Sequence, residues 1–148
     1  MITYLSCLTS HCGIGRYTEE LAKAMHEDAI PVQLFRKNAG DHAFVTPYEH
    51  RSFRSLKHLV APYYLNKAIS QTESPVWHAD HPDAFMGLLY AKKGSKAAKK
   101  VVTVHDAIPL LFNYSSWWEK TRLRYHLRAV AKRSDIIVTI SEQSKKDL

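Results

Sequence analysis

No stretch of this 148-residue chain approaches the roughly 18 consecutive apolar residues that a membrane-spanning helix needs. The N-terminus lacks the basic lead and long apolar segment of a secretory leader, and Ile2 to Leu8 reads instead as a buried strand. The compartment these absences imply is the cytoplasm. Cysteine is scarce: there are two, Cys7 and Cys12, and a soluble chain of this kind holds free thiols more often than a disulfide. Cys12, near the start of a helix, could act as an activated thiol, but no base is fixed beside it in sequence. Internal repeats and low-complexity segments are missing as well. Hydrophobic content of 45% and charged content of 24% are those of an ordinary globular domain, which excludes disorder.

What the chain has in excess is positive charge, +7 with a pI near 9.4. Such a balance attracts anions: nucleic acid, phospholipid headgroups or phosphorylated substrates. Charge alone does not choose among them.

The most informative segment is Ser10-His11-Cys12-Gly13-Ile14-Gly15-Arg16-Tyr17 and the residues up to Asp28. An apolar strand, a glycine-containing turn and a helix follow one another. A helix N-terminus exposes backbone N–H groups whose dipole favours an anion, and glycine lets a ligand approach the backbone. The helix is expected from about Gly15 to Asp28, with Tyr17, Leu21, Ala24 and Met25 inward and Glu19, Glu20 and Lys23 toward water. Pro31 to Arg36 reads as a second strand, and strand, helix, strand is a right-handed parallel crossover.

The pattern then alternates. Lys37 to Asp41 is a turn, and Tyr48 to Leu65 is basic and aromatic, with Arg51, Arg54, Lys57 and His58 in a loop and short helix. Pro75 to His81 is a strand and Asp83 to Lys93 a helix with Phe85, Leu88 and Leu89 inward. Lysines cluster from Lys92 to Lys100. Val101 to Val104 is a strand, Pro109 to Phe112 opens a loop, and Ser116 to Arg133 is a helix with Leu123, Leu127 and Val130 on its apolar face. Ser115 and Ser116 are both candidate caps, and Glu119, three residues after Ser116, fits a capping box with it. Asp135 to Ile140 is the last strand, and Ser141 suits the N-cap of a further helix. The fold class is α/β: a Rossmann-like open parallel sheet with helices on both faces.

Ligands of such sheets bind at the carboxyl ends of the strands. Four polar groups fall there: Gly13, Gly15 and Arg16; His78 and Asp80; His105 and Asp106; Ser141 and Glu142. A parallel sheet brings all four to one edge. A dinucleotide site fits less well. The G-x-G-x-x-G pattern fails at Thr18, and the second strand ends in Arg36-Lys37 rather than in an acid for the ribose. That basic pair suits a 2′-phosphate, so NADP stays open as a minor alternative. His78-Ala79-Asp80-His81 has metal-ligating residue types, but alternation sends His81 to the opposite face from His78 and Asp80. No metal is assigned.

Gly13-Ile14-Gly15-Arg16-Tyr17-Thr18-Glu19-Glu20-Leu21, His105-Asp106-Ala107-Ile108-Pro109-Leu110 and the run Ser134 to Leu148 occur in order at familiar spacing. Together they resemble the N-terminal domain of family 4 retaining glycosyltransferases of the GT-B fold. The resemblance implies a domain that holds the acceptor, facing a C-terminal domain that holds most of a nucleotide-diphosphate sugar. It implies that His105 contacts the donor sugar, that Asp106 orients its loop, and that Gly13, Gly15 and Arg16 lie against diphosphate or acceptor. His78 and Asp80 would line the acceptor side, with Ser141 and Glu142 also at the substrate edge. It implies no metal and no cofactor beyond the nucleotide-sugar co-substrate.

The family's basic and paired-glutamate motifs for the donor do not follow Leu148. The chain, residues 1–148, is therefore expected to be the acceptor-side half, inactive alone, its donor side supplied by a missing domain or a separate subunit. The resemblance implies a lipid-linked or polysaccharide hydroxyl as the acceptor. Trp117 and Trp118 beside Lys120, Arg122, Arg124 and Arg128 suit peripheral contact with the inner face of a membrane or packing against a second domain. The competing reading is a non-catalytic anion-binding module, for nucleic acid or a membrane surface, or a docking subunit. Nucleic acid ranks below sugar transfer because no known nucleic-acid motif is present.

Overall fold

The computed structural model describes residues 1–9, 11–37, 40–48, 63–67, 69–70, 72–89, 98–112 and 115–148. The basic segment from Arg51 to His58 and the lysines at 92, 93 and 96 lie outside the described residues.

Six strands, β1 (Ile2–Leu5), β2 (Val32–Arg36), β3 (Val45–Pro47), β4 (Val76–Ala79), β5 (Lys99–Val104) and β6 (Ile136–Thr139), form one sheet in the order β3-β2-β1-β4-β5-β6. Every pairing is parallel, with Tyr4 between Leu34 and His78 and Val102 beside both Ala79 and Ile137. The helices are α1 (Gly13–Glu27), α2 (Pro82–Leu89), α3 (Ile108–Leu111), α4 (Trp117–Arg133) and α5 (Glu142–Asp147). Residues 63–67 are also helical.

Strand alternation divides the core in two. Tyr4 and Leu34 pack with Ala22, Leu21 and Met25 of α1 and with Phe44. Their neighbours Leu5 and Phe35 point the other way, joining Trp77, Ala79, Val102 and Val104 against Phe85 and Leu88 of α2, Val130 of α4, Leu65 and Ile69. The crossovers out of β1 and β4 thus leave for opposite faces. The sheet is doubly wound, and its switch point lies between β1 and β4.

Several expected details shift. Helix α1 starts at Gly13 rather than Gly15, capped by Cys12. Its inward face is Gly15, Thr18 and Ala22, with Leu21 and Met25 at its border, while Tyr17 and Ala24 are exposed. The inward stripe follows the small residues because α1 lies close on the sheet. Glu19 does not face water: it pairs with Arg36 at 2.8 Å, both side chains largely covered. Arg36 is thereby committed to holding α1 on β2 and is not at a phosphate site. Gly40 permits this, since a Cβ there would lie 2.7 Å from Arg36 Nη2. Residues 45–47 are a strand too short to show a period, and Ile108–Leu111 is a helical turn where a loop was expected.

Other elements match closely. Ser116 Oγ accepts from Glu119 N while the Glu119 carboxylate accepts from Ser116 N, completing the capping box of α4. Helix α1 ends in a Schellman closure, with Ile30 N donating to Met25 O and Ala29 N to His26 O. The residue held left-handed there is Ala29, at φ 59°. A side chain pays about 1 kcal/mol for that conformation. Ala29→Gly should therefore raise stability by about 1 kcal/mol, seen as a higher denaturant midpoint with an unchanged slope.

Candidate active site

The carboxyl end of β1 leads into the cap of α1. Cys12 Sγ accepts from Gly15 N at 3.4 Å and donates to Thr9 O at 3.2 Å, so the thiol is used as a cap. Gly13, the first residue of the helix, is exposed, and nothing lies within 4 Å of where its Cβ would be. No internal contact demands a glycine there; the space it leaves is open toward solvent. Gly15 is buried, so its missing side chain serves the seating of α1. Arg16 is exposed beside them. One dipole end, open backbone and a cation thus sit together at the switch point.

Across the crevice, Asp80 follows β4 and is 1% exposed. Its Oδ2 accepts from Thr18 Oγ1 at 3.0 Å, whereas its Oδ1 is buried without a hydrogen-bond partner. Burial pushes its pKa up to about 7; the Ser6 and Thr18 hydroxyls offset only part of that. A carboxyl poised between its two states near neutrality is thus sealed between α1 and the end of β4.

His105, at the end of β5, is fixed on three sides. Its Nε2 lies 3.0 Å from the Asp80 carbonyl oxygen, and because a carbonyl only accepts, Nε2 carries the proton. Ser144 Oγ donates to the His105 carbonyl at 2.7 Å, and the Tyr17 ring packs edge-on at 5.5 Å. Burial lowers the imidazole pKa, outweighing the upward pull of the Asp80 carbonyl and of Asp106. With Nε2–H spent on the Asp80 carbonyl, the neutral ring keeps Nδ1 as an acceptor. Asp106 is exposed and its Oδ1 accepts from Ile108 N at 3.1 Å, which shapes the turn into α3.

Ser141 caps α5 by accepting from Ser144 N at 3.0 Å, and Glu142 is exposed in the first turn. These residues do share the edge with Gly13, Asp80 and His105, because every strand is parallel. His78 is set deeper. Its Nε2 is 2.8 Å from Thr103 Oγ1, its ring packs on Tyr4 at 4.7 Å, and burial lowers its pKa to about 4. It ties β4 to β5 within the sheet. Among the described residues no group of three or more His, Cys, Asp or Glu is placed to hold a metal.

One buried cluster escaped sequence reasoning. Asp83, in the first turn of α2, accepts from Arg122 Nη1 at 2.6 and 2.7 Å and from His126 Nδ1 at 2.7 Å. These donors hold its carboxyl well below the usual carboxylate range despite burial. His81 Nδ1 accepts from Asp83 N at 3.2 Å, so this ring too is fixed by the backbone. The i, i+4 spacing of Arg122 and His126 on the inward face of α4 was the available signal.

These features define a Rossmann-like α/β domain with its switch point between β1 and β4, the architecture of one half of a GT-B fold. The chain belongs to Glycosyltransferase Family 4, whose family model matches residues 12–148. In fold it is similar to an alpha-glucosyltransferase solved in complex with UDP and a 13-mer DNA containing a central A:G mismatch. The TM-score is 0.50 and the sequence identity 15%, over 99% of this chain and 38% of that one. The chain thus spans about two fifths of that structure's length. No curated protein matches it in sequence.

Two buried groups set opposite pH slopes. Asp80, with a folded pKa raised from 3.8 to about 7, keeps a proton that the unfolded chain loses, so its share of stability falls as pH rises through that window. His78, lowered from 6.5 to about 4, refuses a proton that the unfolded chain takes, so its share rises with pH up to 6.5. The two largely cancel between these limits. In His78→Gln the cancellation should vanish, and stability should fall by up to about 3 kcal/mol from pH 4 to pH 7 in urea unfolding. Asp80→Asn should show the reverse slope. Separately, Asp83→Ala strands the largely covered Arg122 guanidinium and removes the partner of the buried His126 ring, and should cost about 3 kcal/mol at pH 7, read from the same unfolding curves.

Proposed function

We propose that the chain is the acceptor-side half of a retaining glycosyltransferase, which moves a hexose from a nucleotide-diphosphate sugar to a hydroxyl of a lipid-linked or polysaccharide acceptor. The observation that carries this reading is His105: a buried imidazole at the carboxyl end of β5, with its Nε2 proton held by the Asp80 carbonyl and its own carbonyl held by Ser144. Family membership supports glycosyl transfer in general.

In this reading Nδ1 of His105 accepts a hydrogen bond from a sugar hydroxyl and fixes the sugar's orientation. Asp106 keeps the following turn in place. The open N-terminus of α1, at Gly13, with Arg16 beside it, faces the developing negative charge of the leaving diphosphate or an acceptor anion. Asp80 acts through the Thr18 and His105 contacts, setting the width of the crevice. Ser141 and Glu142 border the acceptor side. Catalysis then rests on positioning and charge stabilisation rather than on a dedicated nucleophile of this domain. A second Rossmann-like domain, in the same polypeptide or a partner subunit, supplies most of the donor site.

The test supplies UDP-glucose or GDP-mannose and a glycan acceptor to the chain alone, then with a family 4 donor-binding half added in trans. The expected result is no transfer by the chain alone and measurable transfer by the pair, reduced by about 10²–10³-fold in His105→Ala. Transfer by the isolated chain would sink the half-enzyme reading. Indifference of the pair to His105→Ala would remove the histidine from the site.

A further inference from the structure

Strand alternation would send His81 to the opposite face from His78 and Asp80. The structure places it otherwise. Strand β4 ends at Ala79 and Pro82 opens α2, so His81 is the N-cap of that helix rather than a strand residue. Its carbonyl accepts the first helical bond, from Phe85 N at 3.1 Å. Its ring takes the part that a Ser or Asn oxygen plays in other caps, with Nδ1 accepting from Asp83 N at 3.2 Å. Proline at the first helical position has no N–H, so Asp83 N is the first donor the cap can meet. An imidazole that caps with one nitrogen has a second nitrogen left over.

The cap also fixes what that second nitrogen carries. An accepting Nδ1 has no proton, so in the neutral ring the proton is on Nε2. Burial lowers the ring's pKa and keeps it neutral; Asp83 pulls the other way, while His105, Arg122 and His126 all push with the burial. The Asp83 carboxylate makes no ion pair with this ring. Its Oδ2 stays 3.9 Å from the unprotonated Nδ1, and its oxygens are held by Arg122 and His126. Among the described residues Nε2–H meets no acceptor, and the side chain is 27% exposed, so the donor is reachable from solvent.

His105 is the neighbour of this donor. The Asp80 carbonyl that receives the His105 Nε2 proton belongs to the peptide whose N–H is that of His81. One peptide unit thus joins the two rings, at the carboxyl ends of β4 and β5. Their tautomers are complementary. His105 is left with an acceptor, Nδ1, and His81 with a donor, Nε2–H. A sugar ring presents hydroxyls on adjacent carbons, each able to donate or accept. A phosphate, all acceptor, would leave His105 Nδ1 unanswered.

We propose that His81 is a second sugar-binding histidine, whose Nε2–H donates to the hydroxyl next to the one that donates to His105 Nδ1. The proposal rests on the glycosyltransferase reading and adds to it a residue and the pattern it recognises, a vicinal diol.

Substitution separates the two halves of the imidazole. In His81→Asn the amide oxygen stands where Nδ1 stood and keeps the cap, but nothing reaches the Nε2 position. In His81→Gln an amide N–H returns near Nε2. The full chain, isotopically labelled at its histidine nitrogens, is titrated into the millimolar range with methyl α-glucopyranoside, methyl α-mannopyranoside or inorganic phosphate. Both histidines should show the Nε2–H form at the start, and both should shift with one of the glycosides but not with phosphate. His81→Asn should melt like the parent and bind that glycoside about tenfold more weakly, and His81→Gln should return to within about threefold. An Nδ1–H tautomer at His81, a larger response to phosphate, or no response to either glycoside would overturn the proposal. So would parental binding by His81→Asn, which would leave the residue as a helix cap alone. The titration needs no donor-binding half. Glycoside binding without transfer by the two-chain pair would sink the transfer reading and leave the histidine pair standing; transfer with a silent His81 would do the reverse.

Discussion

The structure turns on the divergence of its crossovers between β1 and β4. Helix α1 leaves β1 toward one face and α2 leaves β4 toward the other, so the two strand ends have no helix between them. Backbone pairing still continues across the gap, with Asp80 N donating to Leu5 O at 3.0 Å. The crevice is a consequence of winding in two directions, and it brings a carboxyl out of water without giving it a full set of partners. Thr18 holds one oxygen; the other has none. A buried group left this way costs stability, and such costs concentrate where a protein handles a ligand.

Much of this arrangement was legible in the residues. Alternation of apolar runs with helical patterns told of a parallel sheet, and a parallel sheet puts every strand's carboxyl end on one edge. Gly13, Asp80, His105 and Ser141 could therefore be brought together before any side chain was placed. The cap of α4 was equally readable, because a capping box is a local contest between two residues three apart. What escaped was non-local. Glu19 reads as a solvent residue until Arg36 arrives from β2. Asp83 reads as the first turn of a helix, and its partners on α4 are 39 and 43 residues away. The protonation of His105 is set non-locally too: Asp106, adjacent in sequence, pulls its pKa up, but burial in the assembled edge outweighs it.

Charge is distributed with a division of labour. Carboxylates needed for packing are met inside, Asp83 by Arg122 and His126, Glu19 by Arg36. Among the described residues the remaining cations lie mostly on outer faces, many of them on α4. The ligand edge and the basic outer face of α4 are therefore separate regions. Each can be altered without dismantling the other, since substitutions far apart with no shared partner act independently.

The tethers on His105 have a further consequence. Its ring is hydrogen-bonded to the end of β4, its backbone continues β5, and its carbonyl is held by a serine of α5, beyond β6. Three strand termini are stitched through one residue. Fraying that starts at any of them must break a contact to that imidazole or its carbonyl. The edge should then open cooperatively, as one unit, rather than strand by strand. Backbone amides of the 78–80, 103–105 and 139–144 segments should then exchange as a single unit, centred on the residue proposed to face the sugar.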